Sequence, residues 1–214
     1  MPDTQPSPPA PQPGTFSAFD RSFYMTDGYE GYLDRFAAIA EEQVIGALLG
    51  TTAPSSSTTF LDVGCGMGGV VLALRNRGYE AFGTEVSTFC LEHSPVREWM
   101  RFGDVCSLPF PDKSFDIVSC IDTFQYLTRE QMEQAAGELT RLAKRFILFE
   151  TIDAASHNAR QDYNPDPLRG AACTQLTGDD YIRLFQQHGC SCVRTNLLAG
   201  DFDFSALFAT PSCV

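Results

Sequence analysis

Basic residues are scarce in this chain. Its 214 residues carry 15 Lys and Arg against 27 Asp and Glu, a formal net charge of −12, and the cations form no cluster. A surface of that sign repels phosphate backbones, which argues against a nucleic-acid partner. Any run of about eighteen apolar residues is also lacking, so no membrane span is expected. The opening, Met1-Pro-Asp-Thr-Gln-Pro6, has no basic end followed by an apolar stretch, so it does not read as a secretory signal and a cytoplasmic location is expected. There is no internal repeat and no sign of a second folded domain. What is present is enough for one core, since 43% of the residues are hydrophobic and 12% aromatic.

The eight cysteines, at 65, 90, 106, 120, 173, 190, 192 and 213, read as free thiols. Cys65, Cys106 and Cys120 sit in or beside expected strands, where cysteine acts as a small apolar filler. Cys190-Ser-Cys192, with His188 nearby, has no second pair to complete a metal site, so no metal is expected.

Residues 1–15 read as a disordered proline-rich tail. Residues 16–57 form a leading segment. It begins with aromatic and acidic residues over 16–32 and continues as an amphipathic helix with Leu33, Phe36, Ala37, Ala40, Val44, Ala47 and Leu48 on one face, stopped at Gly50. Residues 58–214 then alternate strand and helix. Strands are expected at about 59–63, 80–84, 99–103, 115–121 and 145–151. Helices are expected over about 68–77, from Ser87, from a capping box at Thr128 with Gln131 to about 143, and from Thr177 to Gly189. Residues 153–176 form a long polar loop. Two last strands, about 191–198 and 204–210, make a hairpin across Ala199-Gly200-Asp201.

The most informative stretch is Phe60-Leu-Asp-Val-Gly-Cys-Gly-Met-Gly-Gly69. A buried strand runs into a glycine turn, and a helix follows. The helix start offers unpaired N–H groups, and the glycines let a ligand approach the backbone. Gly64, Gly66 and Gly69 also satisfy the Gly-x-Gly-x-x-Gly dinucleotide pattern. Glu85, near the end of the next strand, suits ribose hydroxyls in either case. Asp62 separates the two ligands, because a carboxylate beside the turn repels a pyrophosphate and attracts an ammonium and a sulfonium.

The series Leu61-Asp-Val-Gly-Cys-Gly-Met-Gly68, Gly83-Thr-Glu85, Gly103-Asp104 and Leu108-Pro-Phe-Pro-Asp-Lys-Ser-Phe-Asp116 resembles the class I S-adenosylmethionine-dependent methyltransferases, most closely the small single-domain group that includes ubiquinone-pathway enzymes. The resemblance is good over about 58–150. It implies an α/β, Rossmann-like three-layer sandwich: a mostly parallel seven-stranded sheet closed by an antiparallel hairpin. S-adenosylmethionine is the implied cofactor and S-adenosylhomocysteine the product. Carried over residue by residue, Asp62, Gly64, Cys65 and Gly66 take the methionine half, Glu85 with Val86 the ribose, and Asp104 with Val105 the adenine, with Ile121 beside them. The aromatic residues of 16–32 themselves leave two readings open: a lid over the cofactor, with Tyr24 and Tyr29 ahead of Tyr32 as partners of the sulfonium, or packing of the leading helix on the sheet. Asp116, inside its strand, is assigned to the sheet.

Acceptor residues are expected from the exit of the 115–121 strand, where Asp122 is read as holding an acceptor amine, taking a proton or standing as a plain loop acid, and Tyr126 as a binding residue. The long loop offers His157 as a base and Arg160, Tyr163 and Arg169 as binding residues. Gln125-Tyr126 stands where related enzymes often carry a Glu-His or His-His pair, so a histidine base is absent there. The expected function is methyl transfer to an N or O atom of a small molecule, in the manner of secondary metabolism, by a monomer or homodimer. A peptide or protein acceptor, a non-catalytic cofactor-binding subunit and a nicotinamide oxidoreductase are the alternatives.

Overall fold

The structure is a computed structural model that describes residues 19–25, 31–155, 176–198 and 203–213. The tail, the hairpin turn, Tyr29, His157, Arg160, Tyr163 and Arg169 lie outside the described residues.

Seven strands form one sheet in the order β3-β2-β1-β4-β5-β7-β6. They are β1 Thr59–Val63, β2 Glu80–Glu85, β3 Met100–Phe102, β4 Phe115–Ile121, β5 Ala143–Ile152, β6 Ser191–Thr195 and β7 Asp203–Ala209. The first five pair in parallel, and β7 runs antiparallel between β5 and β6. This is the Rossmann-like sheet closed by an antiparallel hairpin that the resemblance implies. Strand order reverses between β1 and β4, so a crevice opens at their carboxyl ends.

Among the described residues six α-helices cover the two faces: α1 Tyr32–Ile39, α2 Gly46–Thr52, α3 Gly69–Asn76, α4 Thr88–His93, α5 Arg129–Leu142 and α6 Gly178–Gln187. The period of two along each strand divides the core. Leu61, Val63, Val118 and Cys120 pack with Leu139 of α5 and Phe185 of α6. Phe60, Ile117 and Leu148 pack on the other face with Val71 and Leu74 of α3 and with Val44 and Leu48 of the leading helix. Capping boxes start α5 at Thr128 with Gln131 and α6 at Thr177 with Asp180.

The leading helix differs from its expected form. A π-helical stretch, Ala40–Ile45, joins α1 to α2 with no break in helical backbone angles. The rod also continues past Gly50 to Thr52 and ends at Ala53, at φ 42°. The stop comes from Pro54, which disfavours helical angles in the residue before it. Strand β6 likewise ends at Thr195, short of 198. Asn196 turns left-handed at φ 55°, and the Leu197 and Leu198 N–H groups donate to the Ser205 hydroxyl instead.

The segment between β3 and β4 is clamped to α5. Arg141 donates to the Phe110 and Leu108 carbonyls, Glu138 accepts from the Leu108 N–H, and Lys113 donates to the Thr140 and Ala143 carbonyls. Asp116 accepts from both the N–H and the hydroxyl of Thr59, at 2.9 Å each, and pairs with Lys144, so it braces β4 to β1 away from the crevice. The seven described cysteines are free, and Cys190 precedes β6 and meets the Thr140 hydroxyl of α5. Among the described residues no helix is long and apolar enough to cross a membrane, and no group of His, Cys, Asp and Glu is arranged to hold a metal ion.

Candidate active site

The crevice holds a cavity of about 570 Å³ at the carboxyl edge of the sheet, within the size range of small-molecule sites. Its floor is the turn after β1. Gly64 and Gly66 have φ of 72° and 53°, a backbone that side-chain-bearing residues rarely adopt. A Cβ on Gly64 would run into the Thr123 hydroxyl, and one on Gly66 into the Tyr32 hydroxyl. Both positions therefore need glycine for conformation and for space.

Three carboxylates stand at three strand ends. Asp62 and Ser119 are register partners on β1 and β4, facing the α3 side of the sheet. The Ser119 hydroxyl donates to Asp62 Oδ1 at 2.7 Å. Asp62 is only 5% exposed, and this burial pushes its carboxyl up to about 7; the Ser119 hydrogen bond pulls the other way and the nearby Glu85 charge adds to the rise.

Glu85 ends β2 and is 6% exposed. It accepts three backbone hydrogen bonds, from Gly66 at 2.7 Å, Val86 at 2.8 Å and Ser87 at 2.9 Å. Burial raises its carboxyl above the ordinary range despite those donors. The residue expected to meet a ribose thus also ties the glycine turn to the start of α4. Asp104, after β3, accepts from the Cys106 N–H at 2.9 Å through one oxygen and lines the cavity. Cys65 is buried beside Glu85 and Asp62, and burial holds its thiol well above its ordinary value, so it serves as filler.

Residues 19–25 lie over the cavity. The Ser87 hydroxyl donates to the Phe19 carbonyl, and the Phe19 ring meets Tyr126 edge-on at 5.5 Å. Tyr24 is buried and stacks on Tyr32 with ring centroids 5.6 Å apart. Burial raises both phenols above their ordinary value, so each stays neutral. The Tyr32 hydroxyl accepts from the Met67 N–H at 3.1 Å. At the β4 exit Asp122 is left-handed at φ 53°, and its N–H donates to the Glu150 carbonyl.

All the described candidates line this one cavity: Asp62, Gly64, Cys65 and Gly66, then Glu85, Val86, Asp104 and Val105, with Ile121, Asp122, Tyr126 and Tyr24. Sequence reasoning missed the contribution of the leading helix, whose Phe36, Ile39, Gln43 and Val44 form another wall; Tyr32, a candidate to face the cofactor, was not expected to accept from the turn. Spacings of three and four put these helix residues on one face, and Gln43 is the polar member. That was the available signal.

Residues 61–146 match a family model described as a methyltransferase domain. The uncharacterized methyltransferase YcgJ of Bacillus subtilis (strain 168) is 28% identical over 131 residues, covering 58% of this chain and 50% of that protein. The chain thus spans about half the length of this curated relative. In fold it is similar to the PH0226 protein of Pyrococcus horikoshii OT3, with a TM-score of 0.68 at 19% identity over 89% of this chain and 99% of that one. It is also similar to magnesium protoporphyrin IX methyltransferase (ChlM) of Synechocystis PCC 6803, solved with bound S-adenosylhomocysteine, with a TM-score of 0.58 at 17% identity over 86% and 84% of the two chains. By its matched domain and its sheet, the chain is similar to the class I S-adenosylmethionine-dependent methyltransferases.

Proposed function

We propose that the protein transfers the methyl group of S-adenosylmethionine to an N or O atom of a small-molecule acceptor. One observation carries this reading: the glycine turn and the carboxylates Asp62, Glu85 and Asp104 meet in a single cavity at the topological switch point of the sheet. The donor set fits the cofactor's chemistry. The turn admits a ligand to the backbone, and the acids suit a ligand with an ammonium, a sulfonium, two ribose hydroxyls and an exocyclic amine.

In this reading Asp62, Gly64 and Gly66 hold the methionine half. Glu85 with Val86 takes the ribose, and Asp104 with Val105 the adenine. When bound, the cofactor supplies a methyl carbon made electrophilic by its sulfonium. The chain's own residues align the acceptor and exclude water, which is the larger part of the work in such a transfer. Residues 16–57, whose described part roofs the cavity, serve as the lid. An acceptor small enough to sit beneath that roof favours a metabolite over a folded protein.

The test is calorimetric titration of the purified chain with S-adenosylmethionine, S-adenosylhomocysteine and NADH. Micromolar binding of the adenosyl pair with none of NADH is the expected result. Binding of NADH alone would overturn the reading.

A further inference from the structure

The cavity has more acid in its wall than the cofactor needs. Four carboxylates line it, Asp62, Glu85, Asp104 and Asp122, and among the described lining residues there is no Lys, Arg or His. In the reading above the first three serve the cofactor. Asp122 lies beyond them, at the β4 exit next to Thr123 and Tyr126.

Much of the rest of the cavity lining is apolar. Phe36, Ile39 and Val44 come from the leading helix, with Gln43 its polar member, and Ile121 and Leu127 lie on either side of Asp122 in the chain. The helix face is seated on α3 through Ala40, Val44 and Leu48, which pack with Val70, Val71 and Leu74, so this wall is a fixed surface of the core. A ligand in the cavity has these apolar side chains and the Asp122 carboxylate within one lining.

Building on the methyltransferase reading, we propose that the acceptor is an amine: an apolar body seated against Phe36, Ile39 and Val44, with its protonated nitrogen held by Asp122. An anionic acceptor would meet the Asp122 carboxylate with no Lys, Arg or His among the described lining residues to offset it, which disfavours it. A neutral hydroxyl is tolerated but gains nothing from Asp122. Before transfer the ammonium gives its proton to the Asp122 carboxylate, which passes it to water. The neutral nitrogen then bonds to the methyl carbon as the methyl–sulfur bond breaks, its electron pair remaining on sulfur.

The experiment measures binding, apart from turnover. The full chain, saturated with S-adenosylhomocysteine, is titrated with naphthylmethylamine, naphthylmethanol and naphthoate, which share one apolar body and differ in charge. The amine is expected to bind about tenfold more tightly than the alcohol, and the carboxylate most weakly. In Asp122→Asn the amine's advantage disappears. Asparagine tolerates the left-handed backbone at this position, so the variant folds, and its S-adenosylhomocysteine affinity in the same titration reports an intact site. Equal affinities, tightest binding of the carboxylate, no binding of any of the three, or an amine preference that survives in Asp122→Asn would each overturn the proposal while leaving the methyltransferase reading in place. Failure of the unaltered chain to bind S-adenosylhomocysteine would strike the methyltransferase reading itself.

Discussion

Met67, in the glycine turn, donates its N–H to the hydroxyl of Tyr32 on the leading helix at 3.1 Å. The same hydroxyl occupies the space a Cβ on Gly66 would need. One phenol thus holds the turn and sets which residue can stand at position 66.

Tyr32→Phe removes the acceptor and keeps the ring stacked on Tyr24. The expected loss is about 0.5–1.5 kcal/mol of folding stability, read from urea midpoints. Gly66→Ala should abolish cofactor binding. The double variant should recover little, because the positive φ at 66 still strains any side chain. Wild-type affinity in the double variant would show that the clash alone, not the backbone, enforces glycine.

Glu85→Ala leaves three backbone N–H groups without their acceptor. S-adenosylmethionine binding should weaken by about 1–3 kcal/mol, and folding stability should fall as well. Calorimetry and denaturation on the same sample check both. Unchanged affinity would remove Glu85 from the site.

Asp62 makes the site sensitive to pH. Its carboxyl is raised from 3.8 to about 7 in the folded chain, so the fold keeps a proton that the unfolded chain releases. The stability this group contributes is full below pH of about 4 and is lost as pH rises through about 7. A bound ligand bearing positive charge beside Asp62 favours the carboxylate. Cofactor binding should therefore release a proton and tighten as pH rises from about 6 to 8. Titrations in buffers of different ionisation enthalpy measure the proton, and Asp62→Asn should flatten the profile.

Asp116→Ala is the control for an acid outside the site. It removes the brace to Thr59 and Lys144 and should cost about 1–2 kcal/mol of stability, while cofactor affinity holds. A matching loss of affinity would show that the β1–β4 brace also shapes the turn.

The fold was legible because its signals are local. Hydrophobic runs, capping residues three apart and a glycine turn are set by neighbours along the chain, and β4 and the starts of α5 and α6 fell where the pattern placed them. The end of the leading helix was misread at Gly50 because glycine is a permissive signal, whereas Pro54 imposes a steric one.

The sequence by itself determined the sheet, the glycine turn after β1 and which acids stand at the strand ends. Only the tertiary structure decided what those acids do before any ligand arrives. It set Ser119 on Asp62, turned Glu85 back onto Gly66, and folded the leading helix and Tyr32 over the cavity. These contacts join residues 57, 19 and 35 positions apart. Spacing along the chain carries periodicity and caps but no record of which distant side chain will be a neighbour, and that is settled by how the packed layers meet.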